Sequence, residues 1–292
     1  MCGAYGRMPV KHPPSGATEL GWQTGASGKR PAPWEEATSL RAKESNPYAS
    51  KERVLAAANR TVPDRVPIDL LPNPWVMERL HRDLGTKNHR ELLERLRCDI
   101  VDLRGVVDPK YCGRVPPSRD LGDGVRENLW GWRQKVIETA TGPEDCYVEF
   151  VLAAANSVED LERHRWPNPD WFDFSDFAAR LDAWQDFAVM ASGASVFQHA
   201  TFLRGTDHLL MDMAARPEMA HWIIDRFTDY YLTFFDRMLT AADGRVDILR
   251  AADDLGTQHS LFFSPEMFRT FIKPRLKKLA DIHAERVCHA LQ

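Results

Sequence analysis

Asp253 and Asp254 stand side by side at the end of an apolar run, in the stretch VDILRAADDLGTQHSLFFSPEMF from Val246 to Phe268. Two adjacent carboxylates repel, and aspartate suits a strand interior poorly. At a strand end such a pair either caps a solvated turn or serves a pocket, as a hydrogen-bonding group or as a general base whose pKa burial has raised. Successive strand residues point to opposite sides. One of the two is therefore expected to face a pocket, and Asp254 is the preferred candidate. Gln258, four residues on, offers an amide that could touch a substrate or lie on a loop surface. Three other apolar runs end in polar residues. Asp69 could orient a ligand or cap the helix that follows it. Arg104 could grip a carboxylate through two parallel hydrogen bonds, or pair with nearby Asp102. His199 could act chemically or pack among aromatic neighbours. His283, Cys288 and His289 form an H-x4-C-H string that is not a zinc pattern on its own.

These residues need elements to position them. Residues 1 to about 48 are rich in Gly, Pro, Ser and Thr without a helical or alternating period, and read as a disordered leader. Order is expected from residue 49 to 292. SKERVLAAANR carries helix formers behind Ser50, expected as its cap. Strand candidates are Val66 to Leu71, the run CDIVDLRGV, the run DFAVMASGA, and RVDILRAADD. Helices are expected between them, the longest over RPEMAHWIIDRFTDYYLTFFDRMLTAADG. The helix opened by Ser264-Pro265 should kink at Pro274, which has no backbone donor. Around TGPED, two β-rich runs suggest a β-hairpin excursion near 115–155. Trp130, Trp132, Trp166 and Trp171 are expected as packing residues. Repeated strand–helix crossovers imply a parallel sheet covered by helices, with chemistry at the C-terminal strand ends. The GDG at 122–124 lacks the strand-to-helix setting of a phosphate-binding glycine motif.

The whole chain narrows the classes. Its net charge of -4 and interleaved charges argue against a nucleic-acid footprint. No apolar run reaches the ~20 residues of a membrane span. Five scattered cysteines without C-x-x-C point to a reducing cytoplasm rather than a disulfide framework.

Several segments together resemble the uroporphyrinogen decarboxylase superfamily, which includes cobalamin-dependent methyltransferases. They are ERVLAAANRTVPDRVPIDL, LRGVVDPKYCG, WPNPDWFDF, FLRGTDHLLMDMAARPEMA and DDLGTQHSLFFSPEMFRTFIKPRLKKLADIHAE, which span about Ser50 to Glu285. The resemblance implies a (β/α)8 barrel of TIM type, of which about four βα units would be present here. The arginine-rich segment of the heme-pathway decarboxylases is missing from DLLPNPWVMERLHRDLG, and Thr201 stands where their tyrosine would fall. The methyltransferase-like branch is therefore favoured. It implies a corrinoid (methylcobalamin or a corrinoid protein partner) and a zinc ion that activates a thiol. His289 would take the histidine position of the zinc site, with Leu291 where a cysteine is needed. A C-terminally truncated or frame-shifted barrel is expected on that ground. Two alternatives accompany this reading: decarboxylation of a porphyrinogen or similar carboxylate-rich molecule, and an inactive half-barrel that binds a partner or forms a homodimer through open sheet edges.

Overall fold

A computed structural model describes residues 48–140, 142–284 and 289–291, with backbone alone from residue 283 onward. The expected leader, Cys2, and the side chains of His283, Cys288 and His289 thus lie outside the described residues, Tyr48 excepted.

Helix α1 (Ser50–Ala58) begins the described fold. Ser50 is its first helical residue and not its cap: Ala49 holds the cap position, and the Glu52 carboxylate accepts the Ala49 amide. The first strand candidate, Val66 to Leu71, does not form a strand. Pro63, Pro67 and Pro72 remove ladder donors there, and Val66, Ile68 and Leu71 are exposed. The segment is tied to Asp99 through Ile68, whose carbonyl accepts the Asp99 amide and whose amide donates to the Asp99 carboxylate at 2.9 Å. Helices α2 (Pro74–Leu84) and α3 (His89–Arg95) follow, capped by the side chains of Asn73 and Asn88.

Strand β1 (Ile100–Asp102) opens the main sheet. The excursion is larger than one hairpin. After β2 (Lys110–Tyr111), strands β3 (Ser118–Gly122), β4 (Val125–Asn128), β5 (Arg133–Thr139) and β6 (Gly142–Glu149) form a four-stranded antiparallel meander. The glycines of GDG serve its first turn, where Gly122 and Gly124 both take positive φ. Helix α4 (Val158–Glu162), the short strand β7 (Phe172–Asp173) paired with β2, and helix α5 (Phe177–Leu181) lead to β8 (Ala188–Ala194). Then come α6 (Phe197–Arg204), α7 (Thr206–Ala215), the 26-residue α8 (Pro217–Ala242) and β9 (Ile248–Ala251). The last helical segment starts as α9 (Pro265–Met267) and passes through a π-turn (Phe268–Ile272) into α10 (Lys273–Ala284). The irregularity expected at Pro274 thus falls in the turn before it. The Arg275 guanidinium donates to the Thr270 and Phe271 carbonyls, satisfying oxygens at the disrupted ladder.

Strand β10 (His289–Leu291) completes a sheet in the order β1-β8-β9-β10, every neighbour parallel. Four strands in chain order are present, but among the described residues they form an open sheet, not a closed barrel. One face packs through Val101, Val189, Leu249 and Ala251 onto the main core, which includes Phe177, Phe227 and Phe235. The other face starts with Ile100, Ala188, Met190 and Ile248, which meet Val54 of α1. Among the described residues no helix is long and apolar enough to cross a membrane.

Candidate functional site

The second sheet face changes character along its length. Period-two alternation carries β1 from Ile100 to Asp102, β8 from Ala188 through Met190 to Ser192, and β9 from Ile248 to Arg250. Register places Ser192 opposite Arg250, one step beyond Met190 opposite Ile248. The apolar half thus lies toward the strand starts, and Asp102, Ser192 and Arg250 gather at the C-terminal ends. Gly193 follows Ser192 as an extra residue: the β8–β9 register shifts between Ser192 and Ala194, and Gly193 has φ +113°. This bulge turns the backbone where side chains must be re-aimed.

A polar chamber of about 140 Å³ sits at these strand ends. Its walls include Arg104, Arg250, Ser192, Ser195, Gln198 and His199. Arg104 is well exposed; its backbone amide and guanidinium both donate to the Asp102 carboxylate, at 3.0 and 3.3 Å. Arg104 thus forms the ion pair with Asp102 and also lines the chamber. The Ser192 hydroxyl donates to the same Asp102 carboxylate. Arg250 is half-buried on β9 and lies within electrostatic reach of Asp69.

Asp253 projects to the start of α6. Its carboxylate accepts the backbone amides of Val196, Phe197 and Gln198 at 3.1, 3.0 and 2.8 Å, and the Ser195 hydroxyl. Four donors and the positive end of a helix favour its ionised form. Burial works the other way and raises its pKa above the ordinary carboxylate value. Asp254 is exposed and accepts from the Gln198 side chain, so it backs a residue that lines the chamber.

His199 comes one residue after Gln198. Burial, with the Arg104 charge adding to it, pushes its pKa down to about 3. Its Nδ1 lies 2.5 Å from the Tyr231 hydroxyl, whose own pKa burial holds well above the usual phenol value. Both groups are neutral at ordinary pH. A Tyr231 O–H donated to Nδ1 leaves the imidazole proton on Nε2.

The remaining sequence candidates stand apart from these walls. Asp69 accepts the Leu70 amide and is exposed, with Asp102, Arg250 and Arg104 in its electrostatic neighbourhood. Gln258 is exposed in a tight turn closed by the Thr257 amide on the Ser260 carbonyl. The backbone of His289 pairs with Ile248. Sequence reasoning missed Arg250, Ser192, Ser195 and Tyr231. Arg250 had a signal: a guanidinium inside the run VDILRAA cannot be buried unpaired and must face polar space.

A second chamber of about 170 Å³ adjoins the first and shares Arg104, Ser192 and Gly193 with it. Its other walls are largely aromatic: Trp130 from the meander, Phe172 from β7, and Tyr230, Tyr231, Phe234 and Phe235 from α8. Trp130 packs against Tyr230 edge-on with ring centroids 4.5 Å apart.

Among the described residues no group of three His, Cys, Asp or Glu side chains could hold a metal ion. Cys98 is buried, and burial pushes its thiol up to about 11, away from thiolate chemistry. The residues described thus do not supply a zinc ligand set.

No protein-family model matches the chain, and no curated protein matches it. Among solved structures the chain is similar to a methyltransferase from Methanosarcina mazei, with 17% sequence identity and a TM-score of 0.44; the alignment covers 80% of this chain and 67% of that one.

Proposed function

We propose that this chain is a methyltransferase-like enzyme of the uroporphyrinogen decarboxylase type, and that it holds a small anionic substrate in the polar chamber at the strand ends. The sequence segments quoted above support the family reading. The observation that carries the site is the pair of arginines, Arg104 and Arg250, on one chamber at the C-terminal ends of parallel strands. Two guanidiniums facing a shared space attract a carboxylate, sulfonate or phosphate and orient it by paired hydrogen bonds. The Ser192 and Ser195 hydroxyls are held by Asp102 and Asp253, and neutral His199 offers an uncharged donor beside the arginines. Asp253 positions Ser195 and Gln198 and does not reach the substrate itself. Arginine pairs suit a porphyrinogen carboxylate equally, so decarboxylation is retained as a second reading.

The family reading brings zinc and a corrinoid with it. Since the described residues offer no zinc ligand set, no step here is routed through the metal, and His289 remains a proposed ligand on sequence grounds alone. A cytoplasmic location follows from the cysteine pattern as part of the same proposal.

The test is direct. Methylcobalamin is supplied with a panel of small thiols, and methyl thioether is measured; in parallel, carbon dioxide release is measured from a porphyrinogen. Methyl transfer that falls at least tenfold in Arg250→Gln supports the proposal. Carbon dioxide release without methyl transfer moves the assignment to the decarboxylase reading. Neither product, with a half-barrel dimer by sizing, favours the binding-only alternative.

A further inference from the structure

The two chambers share Arg104, Ser192 and Gly193 in their walls, and the rest of their walls differ in kind. One is polar and bears Arg104, Arg250 and two serines. The other is walled by aromatic side chains and by Leu103, Val107 and Met238, with the Arg104 guanidinium at the junction. We infer that the molecule held here joins a single aromatic ring to an anionic group, the ring seated among Trp130, Phe172, Tyr230 and Phe234 and the anion on Arg104 and Arg250. This rests on the proposed anion site and narrows its substrate class.

Size supports one ring. An apolar cavity of about 150 Å³ suffices to bind benzene, and this chamber measures about 170 Å³. A fused or tetrapyrrole system is too large for it. Geometry supports a flat guest, because aromatic walls offer edge-to-face and offset contacts that an alkyl chain cannot return. Charge settles the head group. Aromatic pockets also attract alkylammonium cations, but the adjoining polar chamber carries Arg250 together with Arg104, the latter paired with Asp102, and this bias favours an anion. The carboxylate of Asp108, also on the wall, is taken up by the Gly105 amide at 3.1 and 3.0 Å.

Gly193 lies in the walls of both chambers. A Cβ built on it would approach the Arg104 Cδ to 3.4 Å, and its φ of +113° disfavours any side chain. Alanine there would meet Arg104 at ordinary contact distance, so the cost of a side chain is backbone strain.

The experiment titrates the full chain by calorimetry with four probes: 4-methoxybenzoate, 4-methoxybenzamide, hexanoate and acetate. The inference expects 4-methoxybenzoate to bind at least tenfold tighter than each of the others. Arg104→Gln, on an exposed side chain and checked for retained fold by circular dichroism, should weaken 4-methoxybenzoate at least tenfold and leave 4-methoxybenzamide within threefold. Trp130→Phe should remove the ligand-induced fluorescence change and weaken 4-methoxybenzoate at least threefold, which locates the ring. Hexanoate or acetate matching 4-methoxybenzoate overturns the ring, and the amide matching the acid overturns the anion. An unaltered Arg104→Gln, or no binding of 4-methoxybenzoate, overturns the inference altogether. The two proposals fail separately. Aromatic acid binding without methyl transfer sinks the proposed reaction alone, whereas tight acetate binding sinks the ring and spares the anion site.

Discussion

His199 is the chamber residue whose charge the fold controls most strongly. Its folded pKa, about 3, lies below the ordinary 6.5. Between those values the unfolded chain takes up a proton that the folded chain refuses, so stability is complete above pH 6.5 and falls as pH drops toward 3. His199→Gln removes this term. Its unfolding free energy, measured by urea titration, should therefore decline less steeply than the wild type's between pH 6.5 and 4; parallel declines would show that the imidazole is not held neutral. Neutral His199 can hydrogen-bond an anion's neighbour without adding a third positive charge to a space already holding two guanidiniums. Asp253 illustrates a different limit of single residues. Its adjacency to Asp254 was visible in the chain, but its partners are amides more than fifty residues earlier, at the start of α6. Nothing local to DDLGTQ announces that contact.

At the scale of elements, the segments that carry the family resemblance are mostly scaffold. PDRVPI supplies Asp64 and Arg65 to a network around Asp99, the residue just before β1. Arg53 donates to Asp64 at 2.6 Å and to Asp99 at 2.6 Å, and Arg65 donates to both oxygens of Asp99 at 2.6 and 2.8 Å. FLRGTDHLLMDM supplies the buried pair Arg204–Asp212, which joins α6 to α7 at 2.8 Å. Such pairs need strict residue identities, which makes them conspicuous in a sequence. Asp99 is fully buried, and removing one member of a buried network strands the other charges. Asp99→Ala should therefore lower stability by about 3–5 kcal/mol, read from chemical denaturation; a loss below about 1 kcal/mol would place the network in solvent. Helix α1, the long α8, the last helical segment and three of the parallel strands were legible from their residue periods, since those signals are local, whereas α6 and α7 were not. The segment Val66 to Leu71 was not, because its β-branched residues matched a strand while its prolines removed the donors. The chamber was only half legible. Arg104 and His199 stand at readable strand ends, but Ser192 and Arg250 enter through register and a bulge, which are properties of pairs of strands.

The whole molecule is tied together across its two kinds of sheet. Trp130 lies on the antiparallel meander, yet its ring stacks on Phe227 of α8 at 4.7 Å and is buried. The same helix covers the parallel sheet, and Arg275 clamps it to the last helical segment through Asp225 at 2.8 and 2.6 Å. Meander and parallel sheet should consequently unfold together. Tryptophan fluorescence and far-ultraviolet circular dichroism are expected to give coincident urea transitions. Trp130→Ala should shift both by about 3–5 kcal/mol; separated midpoints would show the meander to be an independent body. The two-toned face of the sheet also bears on how β9 finds its place during folding. A slip of one residue would send Arg250 to the apolar face beside Ala191 and bring Leu249 to the polar end. Such a mispairing is heavily penalised. The guanidinium proposed to receive the anion thereby also serves as the gauge that sets the strand.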